Sequence, residues 1–106
     1  MRILLVGAGG VGNAIAKIAA SRTFYEQIVV SDYTQSRADE VIEWIRNRHG
    51  DEVASKFVSA KIDAGSAANV TELCREHGIT HVLNAVEPKF VPFEIGLPEA
   101  EPEADK

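Results

Sequence analysis

Four of the eight glycines, Gly7, Gly9, Gly10 and Gly12, fall within six consecutive positions of the opening stretch MRILLVGAGGVGNAIA. Glycine costs backbone entropy on folding, so such a cluster needs a geometric cause. Gly7, Gly9 and Gly12 satisfy the spacing G-x-G-x-x-G, directly behind the apolar run Ile3 to Val6 and directly before a helical pattern. In that setting each glycine has a task. Gly7 allows a tight strand-to-helix turn, Gly9 lets a pyrophosphate approach the backbone, and Gly12 lets the helix pack close to the strand. Gly10 and Val11 complete the binding stretch, where a helix N-terminus presents unpaired N–H groups and its positive dipole end to phosphates. Asp32 lies 20 positions beyond Gly12, in VVSDY. A carboxylate at that distance accepts hydrogen bonds from the hydroxyls of an adenosine ribose. The chemistry expected is dinucleotide binding, with NAD favoured over NADP because Asp32 repels a 2′-phosphate.

Other residues could border the same ligand. Tyr33 and Arg37 flank the ribose position, and Arg37 either neutralises a 2′-phosphate or is a solvated cation. Asp63, in KIDAG, could meet the adenine amino group or could serve as a turn or capping residue. Asn84 and Ala85 close a later strand and are expected beside the nicotinamide half; the alternative for Asn84 is a strand-end turn former. No catalytic residue is assigned. Cys74 reads as buried packing, and His49, His77 and His81 lack metal-ligand spacing.

These residues need a scaffold, and the apolar pattern supplies one. Ile3 to Val6, Gln27 to Ser31, Lys56 to Ile62 and Thr80 to Val86 read as strands. Between the first two, Val11, Ala14, Ile15, Ile18 and Ala19 form one helical stripe. Ala38, Val41, Ile42 and Ile45 form a second, with Ser36 as N-cap, Asp39 at the capping-box position and Gly50 as stop. Val70, Leu73 and Cys74 form a third, capped by Ser66 and ended by Gly78. The order βαβαβαβ predicts an α/β, Rossmann-like doubly wound parallel sheet of strand order 3-2-1-4, with no second domain. Its β1 and β4 ends then flank the switch point where ligands bind.

Composition bounds the rest. The chain has 106 residues, 45% apolar and 25% charged, which suits one globular domain. A net charge of −5 speaks against nucleic acid or an anionic membrane as partner. The single cysteine excludes an internal disulfide and fits a reducing, cytoplasmic setting. Pro88, Pro92, Pro98 and Pro102 interrupt the end of the chain, and Pro92 would break a fourth helix. Residues 1–93 are expected to be the dinucleotide-binding domain and 94–106 an acidic disordered tail. With no fifth strand foreseen, the apolar strand THVLNAV is expected to be an unguarded edge, leading to a homo-oligomer or to pairing with a partner chain.

The segments RILLVGAGGVG, VVSDYTQSRADEV and KIDAGSAANVTELCREHGITHVLNAVEP together resemble the N-terminal cofactor domain of the saccharopine dehydrogenase-like oxidoreductases, which include lysine dehydrogenases and saccharopine reductases. The resemblance covers about residues 1–91. It implies a Rossmann fold, NAD or NADP, redox chemistry at a substrate C–N bond, and cofactor contacts at Gly7, Gly9, Gly12, Asp32, Asp63 and Asn84. Family members continue with a substrate-binding domain, whereas this sequence continues FVPFEIGLPEAEPEADK. A truncated or diverged product and a separately made domain both fit that departure. The competing reading is a nucleotide-sensing module of the kind that regulates potassium transporters, which shares strand, glycine motif, helix and aspartate.

Overall fold

The computed structural model describes residues 1–85 and the backbone of 89–92. Its elements are β1 (Arg2–Val6), α1 (Val11–Ala19), β2 (Gln27–Asp32), α2 (Gln35–His49), α3 (Asp51–Ala54), β3 (Phe57–Lys61), α4 (Ala67–His77), β4 (His81–Asn84) and β5 (Lys89–Pro92). The strands form one sheet in the order β3-β2-β1-β4-β5. The first four are parallel, in the 3-2-1-4 order that the alternating pattern predicts.

Continuous apolar runs form these strands because both faces of the sheet are covered. Successive side chains in β1 point opposite ways, and both directions are core. Ile3 and Leu5 join a cluster with Ala16 and Ala19 of α1 and Val41 and Ile45 of α2. Leu4 and Val6 join a second cluster with Leu73 and Cys74 of α4. The same alternation divides Ile28 and Val30 from Val29 in β2. Cys74 is fully buried, as expected of a packing residue. Ser66 caps α4, its side chain accepting from Asn69 N at 3.2 Å, and Gly78 ends that helix in the left-handed region. Ala38, Val41, Ile42 and Ile45 are the buried residues of α2.

Four local expectations are corrected. The buried face of α1 is Gly12, Ala16 and Ala19, whereas Val11, Ala14 and Ile18 are exposed. The cause is steric: a Cβ on Gly12 would lie 1.7 Å from the Gly7 carbonyl oxygen, so Gly12 must face β1, and Ala16 and Ala19 follow at i+4 and i+7. The N-cap of α2 is Thr34, not Ser36, and no side-chain cap is made. Asp39 instead accepts a hydrogen bond from Ser59 Oγ, on β3. The one-turn helix α3 has no counterpart in the predicted order. Finally, β4 is not an edge. β5 pairs antiparallel with it, in the register His81 with Pro92 through Asn84 with Lys89. Pro92 lacks an amide hydrogen, which an outermost strand tolerates. Association through an open β4 is therefore not the arrangement found. The expected tail, 94–106, lies outside the described residues.

Tyr25, in the connection from α1 to β2, is only 5% exposed. It meets Phe24 and Phe57 edge-on, with ring centroids 5.4 and 5.6 Å away. Its hydroxyl has no hydrogen-bond partner among the described residues. Burial pushes the phenol pKa above 10.0 by penalising the phenolate.

Two outcomes follow from this packing. Gly12→Ala should cost about 2 kcal/mol or more in urea unfolding, because backbone and not a flexible side chain occupies the space. An unchanged midpoint would refute the close approach. The unfolded chain releases the Tyr25 proton near pH 10, the folded chain only above it. The stabilisation is thus complete below that pH and lost as pH rises through the folded pKa. Tyr25→Phe should lessen the fall in melting temperature above pH 10 and leave neutral-pH stability equal or higher. An identical alkaline profile in the variant would contradict this.

Candidate cofactor site

The C-terminal ends of β1, β2 and β4 meet at the glycine turn. Val6 is registered with Ser31 on one side and Asn84 on the other. Gly7 leaves β1 with φ 101° and donates from N to Ser31 O at 2.8 Å. Gly10 has φ 47°, and the turn closes through Gly12 N to Gly9 O at 3.0 Å. Both positive φ values lie where a Cβ is strained, so Gly7 and Gly10 are required by the path of the chain.

This turn delivers the start of α1 to the crevice. The helix has no side-chain cap and no acidic residue in its first turn. Gly9 O takes the Gly12 amide, but no side chain competes at the rest of this N-terminus, whose positive dipole end suits an anionic ligand. Val11, the first helical residue, is 48% exposed. Ala85 stands on the other wall. It donates from N to Val6 O at 2.9 Å, and its Cβ would be 3.2 Å from a Cβ on Gly12. Asn84 is the last residue of β4, level with the end of β1.

Asp32 ends β2 and is tied on both sides. Oδ2 accepts from Ala8 N, inside the glycine turn, and Oδ1 accepts from Thr34 N, both at 2.8 Å. The carboxylate is thus fixed beside the turn in a single orientation. Each oxygen has further acceptor capacity, so a ribose diol can still donate to it. Arg37, in the first turn of α2, reaches back across the turn: Nη1 would be 3.4 Å from a Cβ on Gly9. Tyr33 is 69% exposed at the same rim.

Asp63 is engaged in the turn role. Its Oδ1 accepts from Gly65 N at 3.0 Å, and its own amide donates to Asn69 Oδ1 at 2.7 Å. Gly7, Gly9, Gly10, Val11, Gly12, Asp32, Arg37, Asn84 and Ala85 are gathered at one end of the sheet, with Tyr33 on its rim. One neighbour is not among the residues expected from sequence. Lys61, the last residue of β3, is in register with Asp32, and its Nζ stands 5.1 Å from the centre of the Tyr33 ring. The signal for it is the pairing of apolar residues across β2 and β3, Ile28 with Phe57 and Val29 with Val58, which brings Lys61 level with Asp32. Among the described residues no cluster of His, Cys, Asp or Glu could hold a metal ion, and no helix is long and apolar enough to cross a membrane.

The fold and site can be set beside known proteins. Menthone neomenthol reductase from Mentha piperita superposes with a TM-score of 0.64 at 22% identity, over 78% of this chain and 30% of that one. Quinate dehydrogenase from Corynebacterium glutamicum, in complex with NAD, gives a TM-score of 0.60 at 28% identity, over 79% of this chain and 26% of that one. The chain thus spans less than a third of the length of either enzyme. No curated protein sequence matches it. The family model for the saccharopine dehydrogenase NADP binding domain matches residues 3–92, and it takes in every element from β1 to β5. The chain belongs to that family of nicotinamide-dinucleotide-binding domains.

Proposed function

We propose that the chain is the cofactor half of an oxidoreductase and binds NAD more tightly than NADP. The observation that carries this reading is the Asp32 carboxylate, fixed by Ala8 N and Thr34 N beside an uncapped helix N-terminus. A ribose 2′-hydroxyl donates to such a group, whereas a 2′-phosphate of nearly two negative charges is repelled. In this reading the pyrophosphate lies on Gly9, Gly10 and Val11, Arg37 lies over the phosphate path, and Tyr33 and Asp63 border the adenine. Asn84 and Ala85 face the nicotinamide half. The NAD-bound quinate dehydrogenase supports a nicotinamide dinucleotide as the ligand.

The reaction assigned is hydride transfer at a C–N bond, following the saccharopine dehydrogenase family. Such transfer requires a substrate held against the nicotinamide. The residues that hold it are assigned to a further domain or to a partner chain, in the cytoplasm. The 106-residue chain should accordingly bind NAD without reducing it in the presence of lysine or saccharopine. Steady formation of NADH by the pure chain would overturn that part.

Titration calorimetry tests the cofactor. NAD should bind more tightly than NADP, and Asp32→Ala should lower NAD affinity by about tenfold or more, the loss expected for hydrogen bonds to a charged group. Tighter binding of NADP, or an unchanged NAD affinity in the variant, would refute the assignment.

A further inference from the structure

Asp32 should turn NADP away, yet the charges around it are not all negative. Lys61 ends β3 directly beside Asp32, in register across the parallel β2–β3 pair. Neighbouring strands lie about 4.8 Å apart, so the two residues leave the sheet side by side at the ligand end. The Lys61 ammonium does not extend away along the outer edge. It lies 5.1 Å from the centre of the Tyr33 ring, and Tyr33 directly follows Asp32 on the crevice rim. Among the described residues Lys61 forms no ion pair with a carboxylate. Asp32 forms no ion pair with it either, although the two residues end neighbouring strands. Arg37 reaches over Gly9, in the turn whose Ala8 amide holds Asp32. Two cations, Lys61 and Arg37, thus stand on elements that adjoin the carboxylate.

We propose that Lys61 is a specificity-determining residue that supplies positive charge at the 2′ position of the adenosine ribose, so that the site weakens NADP without refusing it. The inference rests on the dinucleotide reading above. A 2′-phosphate adds three acceptor oxygens beside Asp32, and a lysine ammonium, a compact charge on a flexible stem, reaches such a group without bidentate geometry. The 2′-hydroxyl of NAD gains nothing comparable from Lys61, because Asp32 already accepts from it. Lys61 thus acts on the ratio of the two affinities and not on their common level. The Tyr33 ring keeps the stem at the rim when no ligand is present.

The test is titration of the full chain, and of Lys61→Gln, Lys61→Glu and Lys61→Arg, with NAD, NADP, AMP and adenosine 2′,5′-bisphosphate. The last two probe the adenosine end without the nicotinamide half. Lys61 is exposed, and melting temperatures close to the parent's will show that the variants fold. In Lys61→Gln the affinity for NADP relative to NAD, and for the bisphosphate relative to AMP, should fall about threefold, the scale of one exposed charge pair. In Lys61→Glu both ratios should fall further, about tenfold, and Lys61→Arg should restore them. Ratios unchanged in Gln and Glu overturn the inference. So does a parent chain that binds NAD and shows no measurable NADP binding. A parent chain that binds neither dinucleotide overturns the cofactor reading itself, and this inference with it.

Discussion

The structure turns on one contact, the seating of Gly12 against the carbonyl of Gly7. No side chain can enter that space, since even a methyl group would overlap the oxygen. The contact fixes how α1 is rotated about its axis, and therefore that Gly12, Ala16 and Ala19 form its inner face. It also fixes how closely α1 lies on β1, and so where the helix N-terminus opens. The apolar cluster on that side of the sheet and the position of the helix N-terminus are consequences of the same short distance.

A second tie joins binding to architecture. Asp32 accepts from Ala8 N as well as from Thr34 N, so one carboxylate holds the glycine turn, ends β2 and begins α2. The acid that the motif demands for ribose is therefore also a structural brace. Its geometry does not wait for a ligand. Preorganisation of this kind lowers the cost of binding, because the acceptor is already desolvated on two sides and oriented. Ser31 supports it from beneath, fully buried, with Oγ donating to Leu5 O at 2.8 Å.

Much of this was legible in the sequence, and the exceptions share a cause. Strands with both faces buried read as continuous apolar runs, and Ile3 to Val6 or Ile28 to Val30 allow little else. The glycine spacing and Asp32 marked residues that the fold gathers at one end of the sheet, because each residue type there answers a backbone requirement. Of the stripe Val11, Ala14, Ile15, Ile18 and Ala19, Ala19 is buried and Ile15 packs against the core, but Val11, Ala14 and Ile18 are exposed. The deciding factor is the absence of a side chain at Gly12. α2 starts two residues before the place a Ser36 cap would give it: Asp32 Oδ1 accepts from Thr34 N, and Thr34 takes the N-cap position. β5 was missed because a four-residue segment containing proline has a weak strand pattern and gains its place only by pairing with β4. The position of Lys61 depended on register. In each case a contact made in the folded chain, near in sequence for Gly12 and Thr34 and distant for β5 and Lys61, outweighed the apolar or capping pattern.

The central strand has a further consequence, in the order of events during synthesis. β1 comprises residues 2–6, and its two neighbours are β2, beginning at residue 27, and β4, beginning at residue 81. Arg2 makes the separation plain: its amide donates to Thr80 Oγ1, and its guanidinium Nε donates to His77 O, partners 78 and 75 positions away. A chain made at about 5–20 residues per second therefore carries its first strand half-paired for roughly 2–10 s, between the end of β2 and the start of β4. Through that interval β1, β2 and β3 can assemble, but one row of β1 amides and carbonyls faces water or whatever strand is nearest. Closure of the sheet is thus a late, long-range step that no early helix can replace.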